Sequence, residues 1–412
     1  MISVLTLSRN ISKHLNPARI SILIFPTLLI SAKVISNLLL LFIALVGAKK
    51  LVNQFRELSS NYELKIFFIS NFQYFLVMLF SILLASGFSE ELTHIARKIH
   101  FLIAPLILIF FINKKIKAQQ VTFGLKIALV SIAILIALQI HNANEFSIGD
   151  RFSWLFNANI LGDILVIMIF VSLTTIFIEN RRQKIFTLFA IFCGLFALFI
   201  TGSRGSWITF IPLAITSISL NYRYIKSELR ESPKFFFGVT SIFLILFVLA
   251  FPHFQKDYKN SLANIQVMEI DKSSYTSSGI RLYMWESALK AFKDAPWHGY
   301  GYRNANEEVS KYMTEHRGLV SRKSHLHNEY LTNLLSAGYF GLVALLVFYL
   351  LPMSRFYCYL KQKDKREFAV MGFILVIGYM SNGITHIALG EENINAFYIF
   401  MAAVIFSGLS DN

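Results

Sequence analysis

The feature that most constrains this 412-residue chain is a series of apolar runs, each close in length to a bilayer-spanning helix. Such a helix needs about 20 mostly apolar residues, because it rises 1.5 Å per residue through a hydrocarbon core about 30 Å thick. The sequence contains twelve apolar runs of 13 to 24 residues, near residues 20–32, 34–48, 66–86, 99–113, 121–140, 155–178, 185–200, 206–220, 235–252, 332–352, 367–383 and 394–409. The sequence therefore predicts an all-α, polytopic membrane protein of about twelve spans. It excludes a soluble enzyme, a secreted disulfide scaffold and a disordered regulator.

The first two runs are predicted to form a tight hairpin. One helix from Ile20 to Ala48 would be about 44 Å long, too long for the hydrocarbon core without strong tilt. Pro26 and Lys33 interrupt it. The stretch lacks the short apolar region and small-residue cleavage site of a removable signal peptide, so we expect it to be the first anchor.

The basic residues between the runs predict the orientation of the chain. The net charge is +15, and most Lys and Arg fall in segments that share one side if the N-terminus is cytoplasmic. The short loops on the other side contain only Lys33, Arg97, Lys98, Arg151 and Arg204. This asymmetry follows the positive-inside rule and predicts that both termini are cytoplasmic. In this setting the charge predicts no nucleic-acid partner.

The chain is predicted to have three parts. Residues 1–252 carry spans 1–9, residues 253–329 form a large outer loop, and residues 330–412 carry spans 10–12. The loop has apolar spacing typical of a helix over 280–293, with Ile280, Met284, Ala288 and Ala291 on one face, and of a more polar helix over 304–316. Between them, Pro296 to Gly301 is a turn-rich break.

Arg204 is the first candidate for a binding residue. It lies in Thr201-Gly-Ser-Arg-Gly-Ser206, between two apolar runs with almost no loop around it. An arginine at a helix centre in a bilayer costs about 2.5 kcal/mol or more, and such charges usually face a cavity. The flanking glycines allow a ligand close to the backbone, and the N–H groups of the next helix favour anions. The motif predicts an anion site, with an interfacial arginine that reaches lipid headgroups as the alternative.

Two segments of the outer loop add further candidates. Arg281 precedes Trp285 by four residues, a spacing that also fits a helix lying on the membrane with Arg281 against lipid phosphate. His325 and His327 are two residues apart and do not share a helical face, so we expect no metal site. One histidine is a natural proton acceptor near neutral pH. A histidine at a polar helix start is the plainer alternative.

Other polar residues on the outer side carry less weight. Arg151 precedes Asn157-Ala-Asn159 at the sixth span. His386 lies with Glu391 and Glu392 in the last outer loop and is expected to be solvated. The sequence has no phosphate-binding glycine loop, Gly-x-Ser-x-Gly elbow or dinucleotide fingerprint. We therefore expect no nucleotide-powered reaction.

The order of these motifs resembles the bacterial O-antigen ligase family, within the O-antigen ligase/polymerase membrane superfamily. Many spans and Thr-Gly-Ser-Arg-Gly-Ser are followed by a large outer loop with three further motifs. These are Gly-x-Arg-x-x-x-Trp (Gly279 to Trp285), Pro-Trp-His-Gly-Tyr-Gly (Pro296 to Gly301) and His-Asn-Glu-Tyr-Leu (His327 to Leu331). The resemblance covers the second half of the chain well and the first half in hydropathy only. Asn157-Ala-Asn159 departs from the Asn-Pro-Asn common in the family.

The resemblance implies metal-independent glycosyl transfer at the periplasmic face of the bacterial inner membrane, with no cofactor. A glycan on undecaprenyl diphosphate would move to a sugar hydroxyl of lipid A–core, in lipopolysaccharide biosynthesis. By resemblance, Arg204 and Arg281 hold the diphosphate and His327 is the essential histidine. Arg151, near the sixth span, and Trp285 and Asn328, within the motifs, are expected to contact substrate. The expected partners are the two lipid-linked substrates and membrane lipid.

Three alternatives remain open from the sequence. An O-antigen polymerase would use a second lipid-linked glycan as acceptor, and a protein O-oligosaccharyltransferase shares the histidine and arginine motifs but usually has a longer chain. An anion or lipid transporter would line a permeation route with the arginines. Transporters tend to have related halves with broken helices at the midplane, and this sequence shows no such repeat.

Overall fold

All regular secondary structure in the described part of the chain is helical, which confirms the all-α prediction. The computed structural model describes residues 16–84, 88–142, 157–231, 277–295, 297–317 and 325–410. Its helices are α1 (Pro17–Ser31), α2 (Lys33–Asn53), α3 (Phe55–Ser60), α4 (Tyr62–Leu84), α5 (Phe88–Phe111), α6 (Ala118–Asn142), α7 (Ala158–Leu173), α8 (Arg181–Thr201), α9 (Arg204–Glu231), α10 (Ser277–Lys293), α11 (Tyr302–Arg317), α12 (Glu329–Tyr359), α13 (Arg366–Thr385) and α14 (Glu392–Leu409).

Eight of the described helices are long and apolar enough to cross a membrane: α2, α4, α6, α7, α8, α12, α13 and α14. The shorter α1 is also apolar. The predicted run at 235–252 and Arg151 lie outside the described residues. The described residues thus contain eight candidate membrane-spanning helices, which agrees with a polytopic membrane protein. The count of twelve, the layout of the loops and the division into three parts stay predictions.

The first two apolar runs form separate helices, as predicted. The break falls at Ala32, whose backbone is not helical (φ −152°, ψ 73°) and whose N–H still bonds to the carbonyl of Leu28. Pro26 was expected to interrupt the helix, but it lies inside α1. A proline is missing only one helical hydrogen bond, and tertiary packing offsets that loss here, because the ring is buried among neighbouring helices.

The helices at the centre and the edge of the bundle bury different surfaces. Nearly every side chain of α7 and α14 is buried, so these two helices form the middle of the apolar core. The outward face of α2 leaves Val34, Leu38, Phe42 and Leu45 exposed. A large apolar surface of this kind is stable when lipid covers it.

The two outer-loop helices, α10 and α11, pack against each other and against the start of α12. Met284, Ala288 and Ala291 are buried, which confirms the predicted apolar face, with Val309 and Leu335 in the same small core. The face is thus covered by protein. That packing removes the basis for the alternative in which this helix lies on the membrane through the same residues.

A kink in α12 receives the turn-rich segment between α10 and α11. Ala337 and Gly338 leave the helical conformation, so the carbonyls of Leu335 and Ser336 accept hydrogen bonds from outside the helix. The N–H of Tyr300 donates to Leu335 (2.8 Å) and that of Gly301 to Ser336 (3.0 Å). These bonds fix the outer loop to a membrane-spanning helix.

Candidate functional site

The candidate site forms around Thr385 and His386, directly after α13. The guanidinium of Arg281, on α10, donates from Nη1 to the carbonyl of Thr385 (3.4 Å). A Cβ atom on Gly205, next to Arg204, would lie 2.6 Å from Oγ1 of Thr385, so the start of α9 contacts the same segment. The ring of His327 lies 6.3 Å from that of His386. The structure therefore brings Arg204, Arg281 and His327 to one place.

The Thr201–Ser206 motif turns the chain from α8 into α9. Gly202 ends α8 in the left-handed conformation (φ 59°, ψ 22°), which glycine adopts without steric cost. Ser203 and Ser206 are fully buried and their hydroxyls lie 2.7 Å apart, whereas Arg204 is exposed at the first turn of α9. The serines thus anchor the turn while the arginine stays accessible at a helix N-terminus, where anions are favoured.

A buried carboxylate stands behind this turn. The hydroxyl of Ser206 donates to Oδ1 of Asp163, on α7, at 2.9 Å. A Cβ on Gly162 would lie 2.5 Å from the Ser206 oxygen and 2.7 Å from Cβ of Ser203, so only glycine permits this close approach of α7 and α9. The anchor of the arginine motif therefore includes two residues of a membrane helix that lies more than 35 positions earlier in the chain.

Three histidines lie together beside Arg281. The rings of His325 and His327 are 4.2 Å apart, and each lies within 6.4 Å of His386. His327 has a left-handed backbone (φ 51°), which is uncommon for a residue other than glycine. Such a conformation persists when its neighbours hold it, and it is enriched at functional sites.

The neighbours of His327 hold it through two side chains. The indole N–H of Trp285 donates to the carbonyl of Leu326 (3.0 Å). Asn328 caps α12 by accepting from the N–H of Leu331 (2.9 Å), and its amide donates to the carbonyl of Ile384 (3.1 Å). These bonds place Trp285 and Asn328 as positioning residues. Their predicted contact with substrate stays a prediction.

His386 is buried, so the expectation that it is solvated was wrong. The last outer loop folds into the bundle, because Ile387, Ala388 and Leu389 bury their apolar side chains there. Burial lowers the pKa of His386 to about 3, helped by the electrostatic influence of His325 and Arg281. Its Nδ1 lies 3.5 Å from Oδ2 of Asp163. Since the imidazole is neutral near pH 7, this contact is polar and is not an ion pair.

A second buried network holds the same loop from behind. Oε2 of Glu329 accepts from the N–H of Leu389 (2.8 Å), and Nζ of Lys98 donates to the carbonyl of Leu389 (2.6 Å). Lys98 also contacts the hydroxyl of Tyr74, which donates to Asn333 (3.1 Å). Buried charges of this kind are tolerated when hydrogen bonds satisfy them. The network ties α4, α5 and α12 to the loop that carries His386.

Asp163 was not among the candidates predicted from the sequence, Glu329 was noted only within the His327–Leu331 motif, and His386 was predicted to be solvated. Asp163 is the sole acidic residue within the apolar run at 155–178, and a carboxylate in a membrane helix is by default a functional candidate. That signal was present in the sequence. Within the described ranges, no group of three or more His, Cys, Asp or Glu is arranged to hold a metal.

Comparisons with known proteins agree with the motifs. Residues 189–346 match the family model described as O-antigen ligase. The matched region includes Arg204, Arg281 and His327. A Haemophilus influenzae protein, described as uncharacterized, is 24% identical to this chain over 364 residues, which are 85% of this chain and 88% of the relative.

Proposed function

We propose, from the match of residues 189–346 to the O-antigen ligase family model, that this chain transfers a lipid-linked glycan to a lipid acceptor. In the finer form of the proposal, O-antigen polysaccharide leaves undecaprenyl diphosphate and joins a sugar hydroxyl of lipid A–core. The reaction takes place at the periplasmic face of a bacterial inner membrane. The observation that carries the proposal is the convergence of Arg204, Arg281 and His327 on the Thr385–His386 segment.

The chemistry needs little beyond these three side chains. The bond between the anomeric carbon and the diphosphate oxygen breaks, and a bond to the acceptor oxygen forms. Arg204 and Arg281 would bind the departing diphosphate through guanidinium groups, which stay charged and match phosphate oxygens in pairs. His327 would take the proton of the acceptor hydroxyl, a role typically worth about 10²–10⁴ in rate. Attack opposite the leaving group would invert the anomeric centre.

The fold supports lipid-linked substrates. Helices α10 and α11 are joined to the kink of α12 and lie next to the histidine cluster, where they would roof the site. Amphiphilic donors and acceptors would enter sideways from the bilayer, between membrane helices. Fixed positive charge in a site shielded from water stabilises a departing diphosphate more than the same charge in water.

The test is a transfer assay with the purified full chain, undecaprenyl-diphosphate glycan and lipid A–core, in EDTA and without ATP. Wild type is compared with His327→Ala and with His141→Ala, a matched control at an exposed histidine at the end of α6. We expect a glycan ladder on lipid A–core from wild type and the control, and at least a hundred-fold less product from His327→Ala. Retained anomeric configuration in the product would contradict the inverting step.

The assay also separates the alternatives. Longer glycans on the undecaprenyl carrier, with none on lipid A–core, would assign the chain as a polymerase. Glycan on an added acceptor protein alone would assign it as a protein O-oligosaccharyltransferase. If neither product forms and His327→Ala still moves lipid or anion across a vesicle membrane at the wild-type rate, the chain is a transporter.

A further inference from the structure

A cavity lies at the end of the bundle opposite Arg204. Its volume is about 560 Å³, and it opens between the starts of α1, α6 and α8, beside Arg19, Gln119 and Arg182. Helix α8 runs 21 residues from Arg181 to Thr201, so the cavity and the arginine motif are separated by roughly 30 Å. Its volume is in the range of small-molecule sites.

The lining of this cavity carries more positive than negative charge. Three cations line it, Arg19, Lys126 and Arg182, together with one carboxylate, Glu179. Glu179 is already satisfied, because Oε1 contacts Lys126 and accepts from Thr175 (2.6 Å), while Oε2 accepts from Thr187 (2.5 Å). Both members of the Lys126–Glu179 pair are buried, so their charges balance each other inside the bundle.

The two arginines have no such balance. Neither Arg19 nor Arg182 forms an ion pair with a carboxylate in the described part of the chain, and both are exposed. They stand at the first turns of α1 and α8, and both line the cavity. Two guanidinium groups that line one cavity are suited to bind a phosphate group, because each can bind phosphate oxygens bidentately.

The remaining lining is apolar. Ile20 and Leu23 of α1 face Phe123 of α6 and Phe186 of α8, whose rings pack with their centroids 5.8 Å apart. A free anion would make no favourable contact with these apolar side chains, whereas an acyl chain would pack against them. A cationic mouth joined to an apolar wall fits an amphiphile with a phosphate head.

We propose that this cavity binds a phosphate-bearing membrane lipid, whose headgroup contacts Arg19 and Arg182 and whose acyl chain lies along Phe123 and Phe186. Basic pockets between membrane helices are typical sites for anionic headgroups. The lipid bridges α1, α6 and α8, and α8 leads directly into the Thr201–Ser206 turn. Bound lipid therefore stabilises the helix that carries the arginine motif. The site is independent of the glycosyl transfer proposed above.

The experiment uses the full chain in neutral detergent. Native mass spectrometry measures lipid affinity, and thermal unfolding measures stability, with phosphatidylglycerol, with phosphatidylcholine of the same acyl chains, or with inorganic phosphate. Arg19→Gln and Arg182→Gln are compared with Arg181→Gln, an exposed neighbour of Arg182 that does not line the cavity. We expect phosphatidylglycerol to bind and stabilise most, and each cavity variant to weaken its affinity about five-fold. Arg181→Gln should stay within about two-fold.

A further variant guards against loss of folding. Asn180 and Gln183 form a capping box at the start of α8, and Gln183 lines the cavity. Gln183→Glu keeps the capping geometry and adds a negative charge to the mouth, so it should weaken phosphatidylglycerol binding in a folded protein. Equal binding of phosphatidylcholine, or equal losses in Arg181→Gln and Arg182→Gln, would overturn the proposal. Equal stabilisation by inorganic phosphate would replace it with a free-anion site.

Discussion

At the scale of single residues, His386 gives the stability of the fold a dependence on pH. An unfolded histidine titrates near pH 6.5, whereas the pKa of His386 in the fold is about 3, so between these values the unfolded chain binds the extra proton. The contribution of His386 to the free energy of unfolding is therefore complete above pH 6.5 and is lost as the pH falls towards 3. At pH 5 the titration of this one group lowers the free energy of unfolding by about 2 kcal/mol. The thermal unfolding midpoint should fall by several degrees between pH 7 and pH 5.

The variant His386→Gln isolates this effect. Glutamine keeps a polar group near Asp163 but does not titrate, so the part of the pH dependence due to residue 386 should disappear. His141→Gln, at an exposed position, should keep the wild-type profile. Identical profiles for wild type and His386→Gln, measured by thermal unfolding in detergent across pH 4.5–7.5, would contradict the assignment.

Arg281→Lys tests whether the shape of the guanidinium matters as well as its charge. Arg281 reaches the Thr385 carbonyl from α10. A guanidinium group binds phosphate oxygens in pairs, which an ammonium group does not. Lysine keeps the charge but loses the paired geometry, so transfer should fall about 10- to 100-fold, since a hydrogen bond to a charged group is worth about 1.5–3 kcal/mol. The measurement is kcat/KM in the transfer assay. Lys290→Gln, on the same helix and paired with Glu286, should change it less than two-fold.

The residues of the site differ in how well the sequence identified them. Arg204, Arg281 and His327 stand in recognisable motifs, and each is accessible near a turn or helix start. Asp163 contacts Ser206, which lies 43 positions away, and His386, which lies much further along the chain. No local sequence pattern contains such contacts. A chain read one run at a time cannot show that a polar residue finds partners on another helix.

At the scale of elements, the kink of α12 is the joint between the outer loop and the membrane helices. Gly338 has a positive φ (62°), and a Cβ on it would lie 2.2 Å from the carbonyl oxygen of Trp297. Gly338→Ala therefore forces the 297–301 segment away from α12 and breaks the bonds made by Tyr300 and Gly301. We expect loss of about 1–3 kcal/mol of stability from backbone strain, and transfer reduced at least ten-fold.

The control for this joint is Val343→Ala, at an exposed position five residues further along α12. It should leave both stability and transfer close to wild type. The readouts are thermal unfolding and limited proteolysis near residue 297, because an undocked segment is cleaved faster. Slow, wild-type cleavage in Gly338→Ala would show that the joint does not depend on this glycine.

The helices themselves were easier to predict than the joints between them. The apolar faces of α10 and the split between α1 and α2 follow from periodicity and length, which are local properties. The last outer loop was misread as solvated because its anchors are distant: Glu329 and Lys98 hold Leu389 from 60 and 291 residues away. Such contacts depend on tertiary packing, which overrides local polarity.

At the scale of the whole molecule, the two ends of the bundle differ in chemistry. One end gathers Arg204, Arg281 and the histidine cluster, and the other gathers Arg19 and Arg182 at the cavity, with Arg181 at the start of α8. If the basic end faces the cytoplasm, as the positive-inside rule predicts, the site faces the opposite compartment. The proposed lipid cavity then opens to the leaflet richer in anionic lipid. One orientation thus accounts for both sites.

Labelling single cysteines in intact cells tests this orientation. Cys193 and Cys358 are replaced first, by Ala and Ser, because both are free thiols. Trp297→Cys then reports on the outer loop, where Trp297 is 64% exposed, and Lys363→Cys reports on the basic connection between α12 and α13. A membrane-impermeant maleimide should label position 297 in intact cells and position 363 only after lysis. Positions 297 and 363 lie on either side of the kinked helix α12, which is long and apolar enough to cross a membrane. Labelling of position 363 alone in intact cells would therefore show the reverse orientation and place the arginine site in the cytoplasm.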